Sequence, residues 1–280
     1  MKAETFLIFC SGAEHLARRL RKKVRIARTF FPDGEIYVRI DGINKLKNKR
    51  VVVFQSGATN PNSGLIELEM VLQILKDGGV RPEVFFTYFP YGRQDKVFKF
   101  GETNFSEGLI KKLVNYYKIR KIYIIDPHFG NRPWVKKYPV VSASAVPLLI
   151  KKAQQDFGKD ILFLSPDKGG KRRTGIPGLA KKRINSFKIN HFLEKVKTKG
   201  KKIAVVDDII GTGGTLLRCF DVLKKSGAKQ ILALVTHGVL TKGVKKIKNR
   251  FTKLYLTNTI NRKEANLDIT NLIARTLKTK

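Results

Sequence analysis

The sequence predicts an α/β chain with mainly parallel sheets covered by helices, and three observations carry that expectation. Short apolar runs of about four or five residues recur between Gly, Pro, Asp and Lys. Segments with apolar residues three and four apart separate several of these runs, which is the helical spacing a parallel sheet needs for its crossovers. Two of the runs end in polar clusters, and open α/β sheets bind their ligands outside the carboxyl ends of their strands.

Taken in order, Phe6 to Phe9 reads as the first strand and shows no signal-peptide cleavage pattern. Val51 to Phe54 is the next, followed by a helix through Leu65, Leu68, Leu72 and Leu75. Val84 to Tyr88 and Ile122 to Ile125 follow, the latter running into Asp126-Pro127-His128. Pro139 and the small residues up to Ser144 read as a connection, dividing the chain into domains 1–141 and 142–280, with the last helix a candidate to pack back on the first domain. In the second half Ile161 to Leu164, Ile203 to Val206 and Ile231 to Val235 read as strands. Leu216, Phe220 and Leu223 mark a helix stopped by Gly227.

Composition narrows the function classes. The chain has 280 residues and a formal charge of +35, from 57 Lys or Arg against 22 Asp or Glu, yet 42% of its residues are hydrophobic. That apolar share excludes a disordered basic tail, and a chain of this length buries roughly 75% of its extended surface. Acids are too scarce for an ion-pair network, so the charge points to a polyanion, either a nucleic acid or a small phosphorylated substrate. Cys10 and Cys219 are isolated in apolar segments, fitting reduced packing residues in a cytoplasmic protein. No apolar run approaches the ~18 residues of a membrane helix.

The most specific string is Val205-Val206-Asp207-Asp208-Ile209-Ile210-Gly211-Thr212-Gly213-Gly214-Thr215-Leu216. A buried strand there delivers two carboxylates to the sheet edge, and a Gly/Thr turn opens a helix. The N–H groups at that helix start and the hydroxyls of Thr212 and Thr215 make a nest for a phosphate monoester. The two acids can accept from ribose hydroxyls. Two more segments stand out in the first half, Phe31-Pro32-Asp33-Gly34-Glu35-Ile36-Tyr37-Val38-Arg39 and Phe89-Pro90-Tyr91-Gly92-Arg93-Gln94-Asp95-Lys96.

With these three strings in this order, the chain resembles the ribose-phosphate pyrophosphokinases (phosphoribosyl pyrophosphate synthetases) from about Phe6 to Ala274. The resemblance implies two phosphoribosyltransferase-like, Rossmann-like domains and Mg²⁺-dependent transfer of pyrophosphate from ATP to the C1 hydroxyl of ribose 5-phosphate, releasing AMP. It implies ATP contacts from Arg93, Gln94 and Asp95, with Phe31, Asp33 and Glu35 supplied by a neighbouring subunit. The chain would then be a homo-oligomer, a dimer at least and commonly a hexamer in the family. His128 and Asp167 match metal-associated positions, His128 also lying against ATP. Asp207, Asp208, Gly211, Thr212, Gly213, Gly214 and Thr215 match the ribose 5-phosphate loop, although Gly211 stands where the family often has Asp. Lys181 and Arg183 match the catalytic Lys-x-Arg pair, with Lys182 as an alternative lysine.

Bland readings stand beside these. Arg93 and Asp95 could form a surface ion pair, Phe31 could be a core aromatic beside a Pro-Asp-Gly turn, and a Lys/Arg run such as 181–183 is ordinarily a solvated face. Gln55 to Asn62 resembles the family's pyrophosphate loop in place and character. The stretch from Asp167 to Asp207 is shorter than the family's, and Lys171-Arg172-Arg173-Thr174-Gly175-Ile176-Pro177-Gly178, in place of the family's usual helix and strand, makes a poor helix. That departure leaves a non-catalytic nucleotide-binding subunit as an alternative, and the charge leaves non-specific nucleic-acid binding on the same scaffold.

Overall fold

The computed structural model describes residues 4–20, 23–166, 174–176 and 198–278. They form two compact units. The first gathers the chain up to Ala143 with Thr259–Asn261 and the stretch from Thr270; the second is Ser144–Asn258 with Arg262–Ile269.

The first unit is built on a five-stranded parallel sheet. Its strands are β1 (Thr5–Phe9), β4 (Arg50–Ser56), β5 (Glu83–Tyr88), β6 (Ile122–Ile125) and β7 (Val140–Ala143), in the order β1-β4-β5-β6-β7. The inner strands β4, β5 and β6 are buried on both faces, which is why they read as unbroken apolar runs rather than alternating ones. One face packs Ile8, Val51, Val53, Val84, Phe86, Ile122 and Ile124 against α1 (Pro61–Asp77) and α2 (Phe105–Asn115). The other carries a file of stacked rings, Phe9, Phe54, Phe85 and Tyr123, with successive centroids 4.7, 5.0 and 5.6 Å apart. On that face Arg50 pairs with Glu83 at 2.8 Å and donates to the carbonyl of Leu277 at 2.9 Å, tying down a C-terminal helix, Thr270–Lys278. The Tyr123 hydroxyl donates to Glu83 at 3.0 Å, and burial with that carboxylate raises its pKa.

An antiparallel hairpin, β2 (Ile26–Phe30) and β3 (Ile36–Ile40), departs from the parallel pattern. It buries Ile36, Val38 and Ile40 and exposes the residues between them, the alternation of a strand with one wet face.

Among the described residues the second unit has four parallel strands, β8 (Ile161–Leu164), β9 (Lys202–Ile210), β10 (Gln230–Gly238) and β11 (Lys253–Leu256). Their order in the sheet is β11-β10-β9-β8. Helix α3 (Val146–Phe157) covers one face through Val146, Leu149 and Ala153; α4 (Gly214–Lys225) and α5 (Thr241–Arg250) cover the other through Leu216, Cys219, Leu223, Val244 and Ile247. No helix is long and apolar enough to cross a membrane among the described residues.

Three features differ from the sequence reading. Residues Val140–Ala143, expected as part of a connection, are a strand paired with β6. β9 runs two residues past Asp208, to Ile210. β11 and the hairpin are absent from the sequence reading: β11 opens on exposed Lys253 and has only three apolar residues, and the hairpin strand alternates with one solvated face.

Candidate active site

In the first unit the candidate residues gather in loops leaving β4, β5 and β6. After β4, the chain runs through Gly57 to Asn60 and enters α1 with Pro61 at its first turn, where proline's missing N–H costs nothing. The Gly57 N–H donates to the Tyr88 carbonyl at 2.8 Å. A Cβ at Gly57 would collide with the Pro90 nitrogen, so only glycine lets the β4 and β5 loops touch. The Tyr91 hydroxyl reaches the Asn62 side chain across the same two loops. Buried Gln55 fixes the first loop from below, donating to the Gly64 carbonyl at 2.6 Å and accepting the Ser56 N–H at 2.9 Å.

After β5, the turn at Tyr91 to Gln94 is fastened to the start of α2. Gln94 N–H donates to the Tyr91 carbonyl at 2.9 Å, and Ser106 donates through its N–H to Gln94 at 3.0 Å and through its hydroxyl to Tyr91 at 2.8 Å. Arg93 and Gln94 are exposed, but Asp95 is buried. Its carboxylate accepts from Nε of Arg132 at 2.6 Å and from Nη2 at 3.2 Å. Such a forked, charge-assisted pair is both strong and directional. The Asp95 carbonyl accepts from the Trp134 indole at 3.2 Å. The partner of Asp95 is therefore Arg132, from the β6 loop, and not Arg93. Nothing in the spacing of Gly130-Asn131-Arg132-Pro133 marked Arg132 beforehand.

His128 stands half-buried in that β6 loop, two residues after Asp126. Phe129 beside it packs edge-on against Phe89 at 5.0 Å, which holds the β5 and β6 loops together. Three of the five non-glycine residues with left-handed φ among the described residues are Thr59 (74°), Tyr91 (53°) and Asp126 (38°), one in each of these loops. Such backbone costs about 1–3 kcal/mol per residue and persists where the surroundings enforce it, commonly at binding sites.

Phe31, Asp33 and Glu35 form the tip of the β2–β3 hairpin. Asp33 accepts the Glu35 N–H at 3.0 Å, the Phe31 N–H donates to the Glu35 carbonyl at 2.9 Å, and Gly34 takes φ 92°. The tip is a Pro-Asp-Gly turn, with the aspartate closing the turn on its own backbone. Its aromatic is no core residue: Phe31 is 45% exposed.

In the second unit, β9 delivers Asp207 and Asp208 with only 6% and 3% of their surfaces exposed, and the Asp208 N–H donates to the Asp207 carboxylate at 3.0 Å. Gly211 to Gly213 then turn the chain into α4, whose cap Gly213 has φ 84°. The first N–H groups of α4 lack intrahelical acceptors and face the turn with the helix dipole behind them. Thr212 is exposed and Thr215 half-exposed at this start. Helix α5 braces the turn from behind. A Cβ on Gly243 would overlap the Gly211 carbonyl oxygen, so α5 lies against the bare backbone of the loop. Arg262 closes the same corner, donating to the carbonyls of Gly238 and Val239 and to the Thr241 hydroxyl at 2.6 Å; burial lowers its pKa. Gly243 and Arg262 carried no signal in the sequence, since a glycine in the first turn of a helix and an arginine in a loop have many ordinary uses.

Lys181, Arg183 and Asp167 lie outside the described residues, as does Lys182. Among the described residues no three His, Cys, Asp or Glu side chains converge as a ready metal cage.

Comparison with known proteins fits both halves. A family model described as the N-terminal domain of ribose phosphate pyrophosphokinase matches residues 11–115, and a phosphoribosyl transferase domain model matches residues 178–266. The ribose-phosphate pyrophosphokinase of Pyrococcus furiosus is 32% identical over 271 residues, covering 91% of this chain and 94% of its own length. That of Thermococcus kodakarensis is 33% identical over 269 residues, covering 89% and 92%. The crystal structure of phosphoribosylpyrophosphate synthetase from Mycobacterium smegmatis superposes with a TM-score of 0.82 at 25% identity, over 98% of each chain. Loops, sheet order and relatives agree across the length of the molecule: the chain belongs to the ribose-phosphate pyrophosphokinase family.

Proposed function

We propose that this protein transfers the pyrophosphoryl group of ATP to the C1 hydroxyl of ribose 5-phosphate in a Mg²⁺-dependent reaction, giving phosphoribosyl pyrophosphate and AMP for nucleotide synthesis in the cytoplasm. The observation that carries this reading is the β9–α4 turn. Two buried carboxylates precede a glycine turn that opens a helix. That is the pairing a sugar phosphate requires: acceptors for its hydroxyls and N–H donors for its phosphate.

The roles divide by chemistry. Thr212, Gly213, Gly214 and Thr215 hold the 5-phosphate, with Gly211 setting the turn, and Asp207 and Asp208 orient the ribose so that its C1 oxygen is the nucleophile. Arg93 and Gln94, exposed on a fastened turn, meet ATP by phosphate or ring contact and by the adenine edge. Asp95 acts through Arg132, fixing the turn that carries them. Phe31, Asp33 and Glu35 offer an aromatic face and two carboxylates to the nucleotide of a neighbouring subunit. Lys181 and Arg183 supply cations where negative charge develops on the transferred group.

Magnesium suits this donor set. Such an ion needs only one or two protein groups besides substrate phosphates and waters, and His128 with Asp167 would hold it. When bound, it neutralises phosphate oxygens of ATP and leaves the protein chiefly a task of alignment. Incubation with ATP, ribose 5-phosphate and Mg²⁺ should give AMP and phosphoribosyl pyrophosphate in equal amounts. Formation of ADP without AMP would overturn the reaction.

A further inference from the structure

From residue 209 to 258 Lys and Arg stand at the chain's average density while acids are depleted. Residues 209–258 hold ten Lys or Arg and one acid, Asp221. Most of this charge is on α4 and α5, which pack side by side on one face of the second sheet, so their outward sides make one continuous surface. Helix α5 turns Val244 and Ile247 inward and leaves Lys242, Lys245, Lys246, Lys248 and Arg250 exposed. Lys224 and Lys225 extend the surface along the last turn of α4. Asp221 is committed to Arg250 at 3.1 Å, and no carboxylate pairs with the four α5 lysines among the described residues.

We propose that the outer face of α4 and α5 is a docking surface for the phosphate backbone of a nucleic-acid duplex. Four ammonium groups on one short, rigid helix match a row of phosphates and would release the counterions condensed there. The surface lacks the parts a single-strand binder uses. Among the described residues of this unit the exposed large apolar side chain is Leu240, and Phe220 is half-buried beneath Arg250, whose guanidinium lies 4.9 Å from its ring. Without exposed rings there is no platform on which unpaired bases could stack. Lysine ammonium groups dominate the surface and grip phosphates without reading base edges, so binding is independent of sequence. This surface does not depend on the reaction proposed above.

The test is binding of the full chain to a fluorescent duplex of about 25 base pairs and to its single strand across a salt series. Wild type should bind the duplex with a Kd of about 1–100 μM near physiological salt, and log K should fall linearly with log salt. Lys242→Gln, Lys245→Gln, Lys246→Gln and Lys248→Gln together should reduce the steepness of that line by about 3–4 and weaken binding at least about tenfold at ~0.1 M salt. The matched set Lys45→Gln, Lys47→Gln, Lys49→Gln and Lys111→Gln, exposed in the first unit, should change neither much. AMP formation should be unaltered in the α5 set, which separates lost docking from lost fold. Equal losses in both sets, or tighter binding of the single strand than of the duplex, would overturn the proposal.

Discussion

Glu67 shows how one buried charge organises the first unit. It is fully buried on α1, where its carboxylate accepts the Ser11 N–H at 2.9 Å and the Ser11 hydroxyl and lies 3.0 Å from Nε of Arg28. Arg28 belongs to β2 and also donates to the Phe9 carbonyl at 2.8 Å and to Glu14 at 2.7 Å. One ion pair thus joins helix, central sheet and hairpin. Removing Glu67 leaves Arg28 only the exposed Glu14 as a counter-charge, so Glu67→Gln should cost about 1–3 kcal/mol, read as a lower denaturation midpoint. The double variant Glu67→Gln, Arg28→Met should cost less than the two single changes added together. Additive losses would mean the pair does not act as a unit. Because Arg28 anchors the strand leading to Phe31, Asp33 and Glu35, Arg28→Lys should also raise KM for ATP more than it lowers kcat. Nearby Cys10 is buried, and burial, followed by the Glu67 charge, holds its thiol well above the usual range. The neutral thiol is therefore favoured in the folded state. That contribution is complete below the unfolded thiol's pKa of about 8.5 and is lost as pH rises through the folded value. Thiol reagent near pH 8 should leave Cys10 unlabelled until denaturant is added; rapid labelling of the native protein would contradict this.

At the scale of elements, apolar runs exposed the sheets, and the strings at their ends exposed the loops. The run at 203–206 revealed β9, and the acids and glycines after it revealed the turn it serves. What stayed hidden was support from residues distant in sequence. Arg132 holds Asp95 from 37 residues away. Gly243 likewise comes a whole helix and strand after Gly211, whose carbonyl it must clear. No local pattern encodes such partners, because close approach is a property of the assembled fold. Gly243 allows a direct measure of this dependence. Gly243→Ala places a methyl group on top of the Gly211 oxygen. In an interior packed to the density of an organic crystal, either α5 or the β9–α4 turn must then move. The loop is the part with fewer apolar contacts. Its displacement should raise KM for ribose 5-phosphate at least about tenfold, equivalent to ~1.4 kcal/mol of lost binding, while KM for ATP and the far-ultraviolet spectrum stay near wild type. An equal rise in both constants would point to general misfolding instead.

At the scale of the whole molecule, the charge that remains after the sites are served must limit assembly. The hairpin tip is exposed along its whole length from Phe31 to Glu35, and Phe30 and Tyr37 beside it are 57% and 49% exposed. This corner therefore offers an apolar contact ringed by polar groups. If the tip serves a neighbouring subunit, an active particle is at least a dimer, and every subunit added brings another +35. At ~0.1 M salt charges are screened beyond about 10 Å, which leaves closely apposed lysines repelling. Multivalent anions relieve that repulsion by binding between them, whereas chloride only thins the field. Replacing chloride by phosphate at constant ionic strength should therefore shift sedimentation toward larger species. Dilution into chloride should lower specific activity as the particle falls apart, and phosphate should restore it. Sedimentation that is the same in the two buffers, with activity per subunit constant on dilution, would show that the isolated chain is the working unit and that the exposed tip serves its own subunit.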